Sequence, residues 1–191
     1  MKHSLARKIE ITPGFLAMVC LIGWLDMSVC ICFLIAVMIH ELSHLITAVL
    51  HGGHVERIVF RCCGAVIQTQ SMSYTAEIYV ALAGPLANIV TTLIAKNRYG
   101  QFAVISLLLA IVNLLPIYPM DGGRMLRSAL LLCVTPAVAG KILRITAFLV
   151  CGVLMLAACW YTAVCQAGLW PVFASLAILW RAGEAGTQEP G

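Results

Sequence analysis

The chain has 191 residues, of which 62% are hydrophobic and only 10% are charged. Soluble domains carry about a quarter charged residues, so this composition excludes a water-soluble enzyme and a disordered protein as the main interpretation. The net charge of +4 is scattered without a run of Lys and Arg, which excludes a nucleic-acid partner. We therefore expect a protein of the lipid bilayer, with one membrane domain over residues 1–182 and a disordered tail over residues 183–191.

Apolar segments in chain order predict an all-α membrane protein, a polytopic bundle of about six transmembrane helices. The first two segments are interpreted as an uncleaved helical hairpin rather than a signal peptide. The reasons are that no small-x-small cleavage site follows the first segment and that the second begins almost at once. The expected segments are Pro13–Leu25, Ser28–Leu50, Ala76–Ala95, Gln101–Pro116, Ile142–Val164 and Gly168–Trp180.

Between the second and third segments, residues 51–73 are more polar and contain three glycines. Apolar and polar residues alternate around Ile58–Cys62, and a second alternation follows Gly64, which predicts a short β-hairpin. An ordinary polar connector is the alternative. Further along, Arg124–Cys133 has a helical pattern whose two arginines place its start at the membrane interface.

Charge distribution predicts the orientation of these segments. Six spans place both termini on one side, together with all of the basic residues except Lys96 and Arg98. The positive-inside rule makes that side cytoplasmic. We therefore expect a multi-pass protein of a bacterial cell membrane with both termini in the cytoplasm.

The sequence His40-Glu41-Leu42-Ser43-His44 lies inside the second apolar segment. Ionisable residues at membrane depth are costly and are usually functional. On a helix, His40 and His44 share one face and can hold a metal ion, while Glu41 can act as general base on a metal-bound water. A buried hydrogen-bonded cluster that only steadies helix packing is the alternative.

A catalytic zinc ion usually has three protein ligands, so a further acidic residue is expected from elsewhere in the chain. Asp121 is the candidate, because it follows an apolar segment broken by Pro116 and Pro119 and precedes Gly122-Gly123. Irregular backbone at membrane depth is tolerated where it lines a site. An ordinary Asp-Gly turn at the interface is the alternative.

Together these motifs resemble the site-2 protease family of intramembrane zinc metalloproteases, the M50 peptidases. The matching segments are His40 to His44, the Gly-Pro-Leu-Ala-Asn sequence that ends at Asn88, and the segment from Asn113 to Asp121. The resemblance implies that His40, His44 and Asp121 bind one zinc ion and that Glu41 is the catalytic base. It also implies that Asn88, and Asn113 likewise, contact substrate or its oxyanion. For Asn88 the alternative is helix packing through Gly84 with an interhelical hydrogen bond.

The order of these motifs resembles the sporulation group of the family, typified by stage IV sporulation protein FB. This resemblance implies cleavage of a single-pass or membrane-tethered regulatory protein, of the sigma factor precursor or anti-sigma factor type, and leaves room for an inhibitory membrane partner. We expect no CBS domain and no PDZ insertion in this chain. We further expect the strand around Ile58–Cys62 to accept an unwound substrate as an added strand.

Two other functions remain open at this point. One is a proteolytically inactive membrane scaffold of the same fold, which would have no use for Glu41 beside a metal. The other is a metal-ion transporter, which would favour several polar stations along a path, whereas this sequence shows one cluster.

Overall fold

The computed structural model describes residues 9–11, 13–53, 55–61, 64–69 and 72–165. Contacts divide the chain into two units, residues 1–113 and residues 114–191. In chain order the first unit contains β1 (Ile9–Ile11), α1 (Pro13–Leu25), α2 (Met27–Leu50), β2 (Val55–Arg61), β3 (Gly64–Thr69), α3 (Tyr74–Ala95) and α4 (Gly100–Asn113). The second unit contains α5 (Asp121–Leu131) and α6 (Pro136–Cys165).

Helices dominate both units, and three of them are long and apolar enough to cross a membrane. These are α2, α3 and α6, while α4 is a shorter apolar helix. The six predicted spans are therefore matched by three in the described part of the chain. The expected sixth span, Gly168–Trp180, and the predicted tail at 183–191 lie outside the described residues.

Local sequence explains where several helices begin. The Asp26 carboxylate accepts hydrogen bonds from the backbone N–H groups of Ser28 (2.7 Å) and Val29 (3.1 Å), which caps α2 directly after α1 ends. Ser73 caps α3 in the same way through Ala76. Pro136 is the first residue of α6, where its missing N–H costs nothing. This helix begins six residues before the segment predicted from Ile142.

A three-stranded sheet has the order β1-β2-β3. β2 pairs in parallel with β1, with Ile9 opposite Ile58, and in antiparallel fashion with β3, with Arg61 opposite Gly64. β2 and β3 thus pair at the position where the sequence predicts a hairpin. The parallel β1 strand was not predicted, since three residues give almost no periodic signal.

The central position of β2 corrects the expectation for Ile58–Cys62. Residues 58–60 have strand partners on both sides, from β1 and from β3. Their backbone groups are therefore used within the sheet, and the prediction that this segment accepts a substrate strand is wrong. Cys62 itself lies outside the described residues.

Candidate metal centre

Two histidine rings of α2 face the same point, one helical turn apart. His40 and His44 are 3% and 4% exposed, and their Nε2 atoms lie 3.1 Å apart. The rings meet edge to face, with centroids 4.6 Å apart. Two nitrogen ligands of a tetrahedral zinc ion lie about 3.3 Å apart, so both Nε2 atoms fit one ion with a very small adjustment.

The far side of the His44 ring is held by the backbone of α3. His44 Nδ1 lies 2.6 Å from the carbonyl oxygen of Val80, and because a carbonyl only accepts, the ring donates through Nδ1–H. A neutral imidazole with its proton on Nδ1 has its lone pair on Nε2. Partners of this kind fix the tautomer and orientation of a metal-binding histidine.

Gly84 allows α3 to approach both rings. A Cβ atom added at Gly84 would lie 2.4 Å from His44 Nε2 and 2.8 Å from His40 Cε1. Real Cβ atoms do not approach other atoms this closely, so any side chain here would displace the imidazoles. The packing role considered for Gly84 from the sequence is therefore packing against the metal-binding rings themselves.

Asn88 lies one turn beyond Gly84 and is fully buried. Its Nδ2 donates to His40 Nδ1 at 3.2 Å, an interhelical hydrogen bond of the kind that the packing alternative predicts. Three hydroxyl oxygens lie within hydrogen-bond distance of the Asn88 carbonyl oxygen, those of Thr91 (3.0 Å), Thr92 (2.8 Å) and Ser106 (3.1 Å). Thr91 and Thr92 belong to α3, whereas the contact from Ser106 joins α3 to α4.

In the second unit, Asp121 is the first residue of α5 and is 6% exposed. The positive end of the helix dipole stabilises a carboxylate at this position, and Arg124 Nη1 lies 3.5 Å from its Oδ1. A Cβ at Gly122 would lie 2.2 Å from the Leu114 carbonyl oxygen, and one at Gly123 would lie 2.4 Å from Ile117 carbon. The two glycines therefore let the preceding loop fold closely over the start of α5.

His40 and His44 of the first unit and Asp121 of the second unit are all buried, and the sequence predicts that they bind one metal ion together. Two imidazoles and one carboxylate are the three-ligand set that catalytic zinc sites use. The zinc cofactor predicted from the sequence is confirmed, while the assignment of His40, His44 and Asp121 as its ligands stays a prediction.

The remaining predicted site residues are Glu41 and Asn113. Glu41 is half-buried in α2, directly after His40. Asn113 is the last residue of α4, and its Nδ2 donates to the Leu109 carbonyl of its own helix at 3.0 Å. The catalytic role of Glu41 and the substrate contacts of both asparagines stay predictions.

Sequence reasoning did not find the part that Val80 plays. Its contribution to the site is a backbone carbonyl, which every residue type would supply, so no residue pattern marks it. The signal that was available is spacing, since Val80, Gly84 and Asn88 recur every four residues along one face of a helix.

An HExxH sequence on a helix of transmembrane length is typical of membrane zinc metalloproteases. Comparison with known proteins finds similarity to proteins of that class. The sequence pattern of Peptidase family M50 matches residues 95–158, a region that includes Asp121. The chain is therefore similar to this family over that region, and its fold is that of a solved site-2 protease.

Two relatives and one solved structure illustrate the similarity. Stage IV sporulation protein FB of Bacillus subtilis is 30% identical over 138 residues, which cover 64% of this chain and 48% of that protein. A zinc metalloprotease of Methanocaldococcus jannaschii is 33% identical over 109 residues, covering 50% of this chain and 32% of the relative. The chain thus spans half or less of these curated relatives. The solved structure of the site-2 protease from Methanocaldococcus jannaschii superposes with a TM-score of 0.70 at 21% identity, covering 96% of this chain and 92% of that one.

Proposed function

We propose that the chain is an intramembrane zinc endopeptidase that hydrolyses a peptide bond of a transmembrane or membrane-tethered protein. The observation that carries the proposal is the pair of buried imidazoles, with Nε2 atoms 3.1 Å apart, on a helix of transmembrane length. Burying such groups in an apolar helix is costly, and a metal-dependent reaction gives a reason for the cost.

The HExxH sequence supplies two metal-binding histidines, His40 and His44, and the base Glu41 for this reaction. A bound zinc ion supplies Lewis acidity, which activates water and polarises the peptide carbonyl. The Glu41 carboxylate takes the proton from the attacking water and returns it to the leaving amine. The products are one new carboxyl end and one new amino end, and the enzyme is regenerated.

Asn88 and Asn113 are both candidates for stabilising the oxyanion, and Asn113 lies nearer in the chain to Asp121. It ends α4 immediately before the loop that leads to Asp121, and it is half-buried. Its side-chain amide donates to its own helix at 3.0 Å and has a second N–H available for a substrate carbonyl.

For the substrate we propose a single-pass or membrane-tethered regulatory protein, such as a sigma factor precursor or an anti-sigma factor. The support is the similarity to stage IV sporulation protein FB, which is a sporulation protein by name.

We also propose six spans with both termini in the cytoplasm, an orientation supported by the position of all basic residues except Lys96 and Arg98.

The test is co-expression of the chain with candidate tethered sigma factors and anti-sigma factors, followed by immunoblotting for the released fragment. Glu41→Gln should abolish cleavage while the protein keeps its zinc, because the amide cannot take a proton from water. Glu77→Gln is the matched control, since Glu77 is also a half-buried glutamate in a helix of the same unit, and this variant should cleave normally. Cleavage unchanged in Glu41→Gln would refute the assigned base and the reaction built on it.

A further inference from the structure

One face of α3 supports both metal-binding rings of α2. Val80, Gly84 and Asn88 lie on that face at intervals of one turn: Val80 bonds His44, Gly84 gives space to both rings, and Asn88 bonds His40. Each ring therefore has a partner on Nδ1, the nitrogen that points away from the shared Nε2 pair. The two partners are chemically unlike, since one is a carbonyl and the other is a side-chain amide.

If both imidazoles are neutral, the hydrogen-bond donors and acceptors of these three contacts can be assigned in only one way. His44 donates from Nδ1 to the Val80 carbonyl, so its Nε2 accepts from His40 Nε2–H at 3.1 Å. His40 Nδ1 then carries a lone pair and accepts from Asn88 Nδ2 at 3.2 Å. In this arrangement the His40 proton sits on the nitrogen that a metal ion needs.

Binding of zinc by the two Nε2 atoms of His40 and His44 requires the other tautomer of His40, with its proton on Nδ1. An imidazole that binds zinc through Nε2 keeps its single proton on Nδ1, and that Nδ1–H must donate to an acceptor. The Asn88 Nδ2 group is itself a donor and cannot accept this proton. His44 needs no such change, because its Nδ1 already donates to Val80.

Asn88 carries the missing acceptor on the same amide. Its Oδ1 is buried and has no hydrogen-bond partner, and rotation of the amide by about 180° exchanges Oδ1 with Nδ2. We propose that Asn88 is a positioning residue for the metal site: in the zinc-loaded protein its Oδ1 accepts Nδ1–H from His40 and locks that ring as an Nε2 ligand.

The contacts of Asn88 hold its backbone in place and allow its side-chain amide to rotate. Hydroxyls of Thr91, Thr92 and Ser106 bind its backbone carbonyl and leave the side chain free to rotate about its Cβ–Cγ bond. Because the side chain is fully buried, water cannot substitute for the amide oxygen. The role differs from both sequence interpretations, substrate contact and simple packing, since Asn88 acts on the metal through His40.

The proposal rests on zinc binding at this pair and not on peptide hydrolysis. Zinc bound with the expected tautomer but without any proteolysis would refute the proposed function and leave this inference standing. Proteolysis with His40 bound to zinc through Nδ1 would support the proposed function and refute this inference.

The test measures zinc affinity of the full chain in nanodiscs by competition with a chromophoric chelator. Asn88→Asp keeps an acceptor oxygen and should bind zinc within about threefold of the wild type, whereas Asn88→Leu keeps the size but removes the acceptor and should bind roughly 10–100-fold more weakly. Thr162→Val is the control, since the Thr162 hydroxyl bonds only within its own helix at 2.8 Å. A residue that only fills space would give the opposite order, with Asn88→Leu near wild type.

A second measurement needs no variant and decides the matter if Asn88→Leu does not fold. In the zinc-loaded wild type, nitrogen-15 NMR of the histidine side chains should show His40 protonated at Nδ1, with that proton protected from exchange. Wild-type affinity in Asn88→Leu, equal losses in Asn88→Asp and Asn88→Leu, or a His40 Nδ1 without a protected proton would each overturn the proposal.

Discussion

Helices α3 and α6 are both apolar and long enough to span a membrane, yet they bury different things. α3 buries Gly84 and Asn88 against the histidines of α2, whereas α6 exposes large apolar side chains such as Phe148 (73%) and Leu149 (64%). In lipid, apolar side chains gain little by meeting one another, so small and polar residues decide where helices pack closely. The contrast teaches that small and polar residues mark the face of α3 that meets the histidines, while many large apolar side chains of both helices are exposed.

A glycine-to-alanine substitution should lower zinc affinity in α3 and leave it unchanged in α6. Gly84→Ala places a methyl group where the two imidazoles lie, so we expect zinc affinity to fall by about 100-fold and proteolysis to disappear. Gly152→Ala in α6 meets nothing within 4 Å and should leave zinc affinity unchanged. Alanine is also the better helix former, so this variant should be at least as stable as the wild type.

Chelator competition and thermal unfolding on both purified variants provide the measurement. Equal zinc affinities for Gly84→Ala and Gly152→Ala would contradict the close approach of α3 to the histidines. Loss of zinc affinity in Gly152→Ala but not in Gly84→Ala would show that α6, and not α3, lies against the metal-binding residues.

A smaller effect is expected from the hydroxyl that ties α3 to α4. Ser106 is fully buried, and its hydroxyl oxygen lies 3.1 Å from the Asn88 carbonyl oxygen and 3.0 Å from the Thr91 hydroxyl oxygen, so its single proton can be donated to either. Interhelical hydrogen bonds in membranes contribute about 0.6 kcal/mol on average and rarely exceed about 1.7 kcal/mol. We expect Ser106→Ala to lower the free energy of unfolding by about 1 kcal/mol.

In α6, Thr162→Val removes a hydroxyl that bonds only the Ala158 carbonyl of the same helix. Its effect on unfolding should stay below about 0.5 kcal/mol, because no second helix is involved. Denaturant titration in mixed micelles measures both variants. A larger loss for Thr162→Val than for Ser106→Ala would show that interhelical bonds are not what holds α3 in place.

The two histidines of the metal site could be predicted from the sequence because the period of the α-helix brings them together. His40 and His44 lie four residues apart, and the 3.6-residue period of a helix places such residues together whatever the rest of the chain does. Asp121 required a further argument from ligand number, and its role as the third ligand stays a prediction. Most helix ends were also predictable within a few residues, since Asp26, Ser73 and the prolines mark them locally.

Other features depend on contacts that no local pattern contains. The parallel pairing of Ile9–Ile11 with β2 joins residues about 50 positions apart, and it turned a predicted edge strand into a central one. The start of α6 was placed too late because Lys141 and Arg144 interrupt the apolar run, although Pro136 is an ordinary first helical residue. The bond from Val80 to His44 uses a backbone carbonyl and has no sequence signature.

The most direct test of the metal centre is the zinc content of the purified chain. We expect about one zinc ion per chain in the wild type and less than about a tenth of that in His44→Ala and in Asp121→Ala, because each removes one of three ligands. Asp26→Asn is the matched control, since Asp26 caps α2 and asparagine caps a helix equally well. Full zinc content in Asp121→Ala together with His44→Ala would contradict the three-residue site, whereas loss in these two and retention in Asp26→Asn is the result that this account predicts.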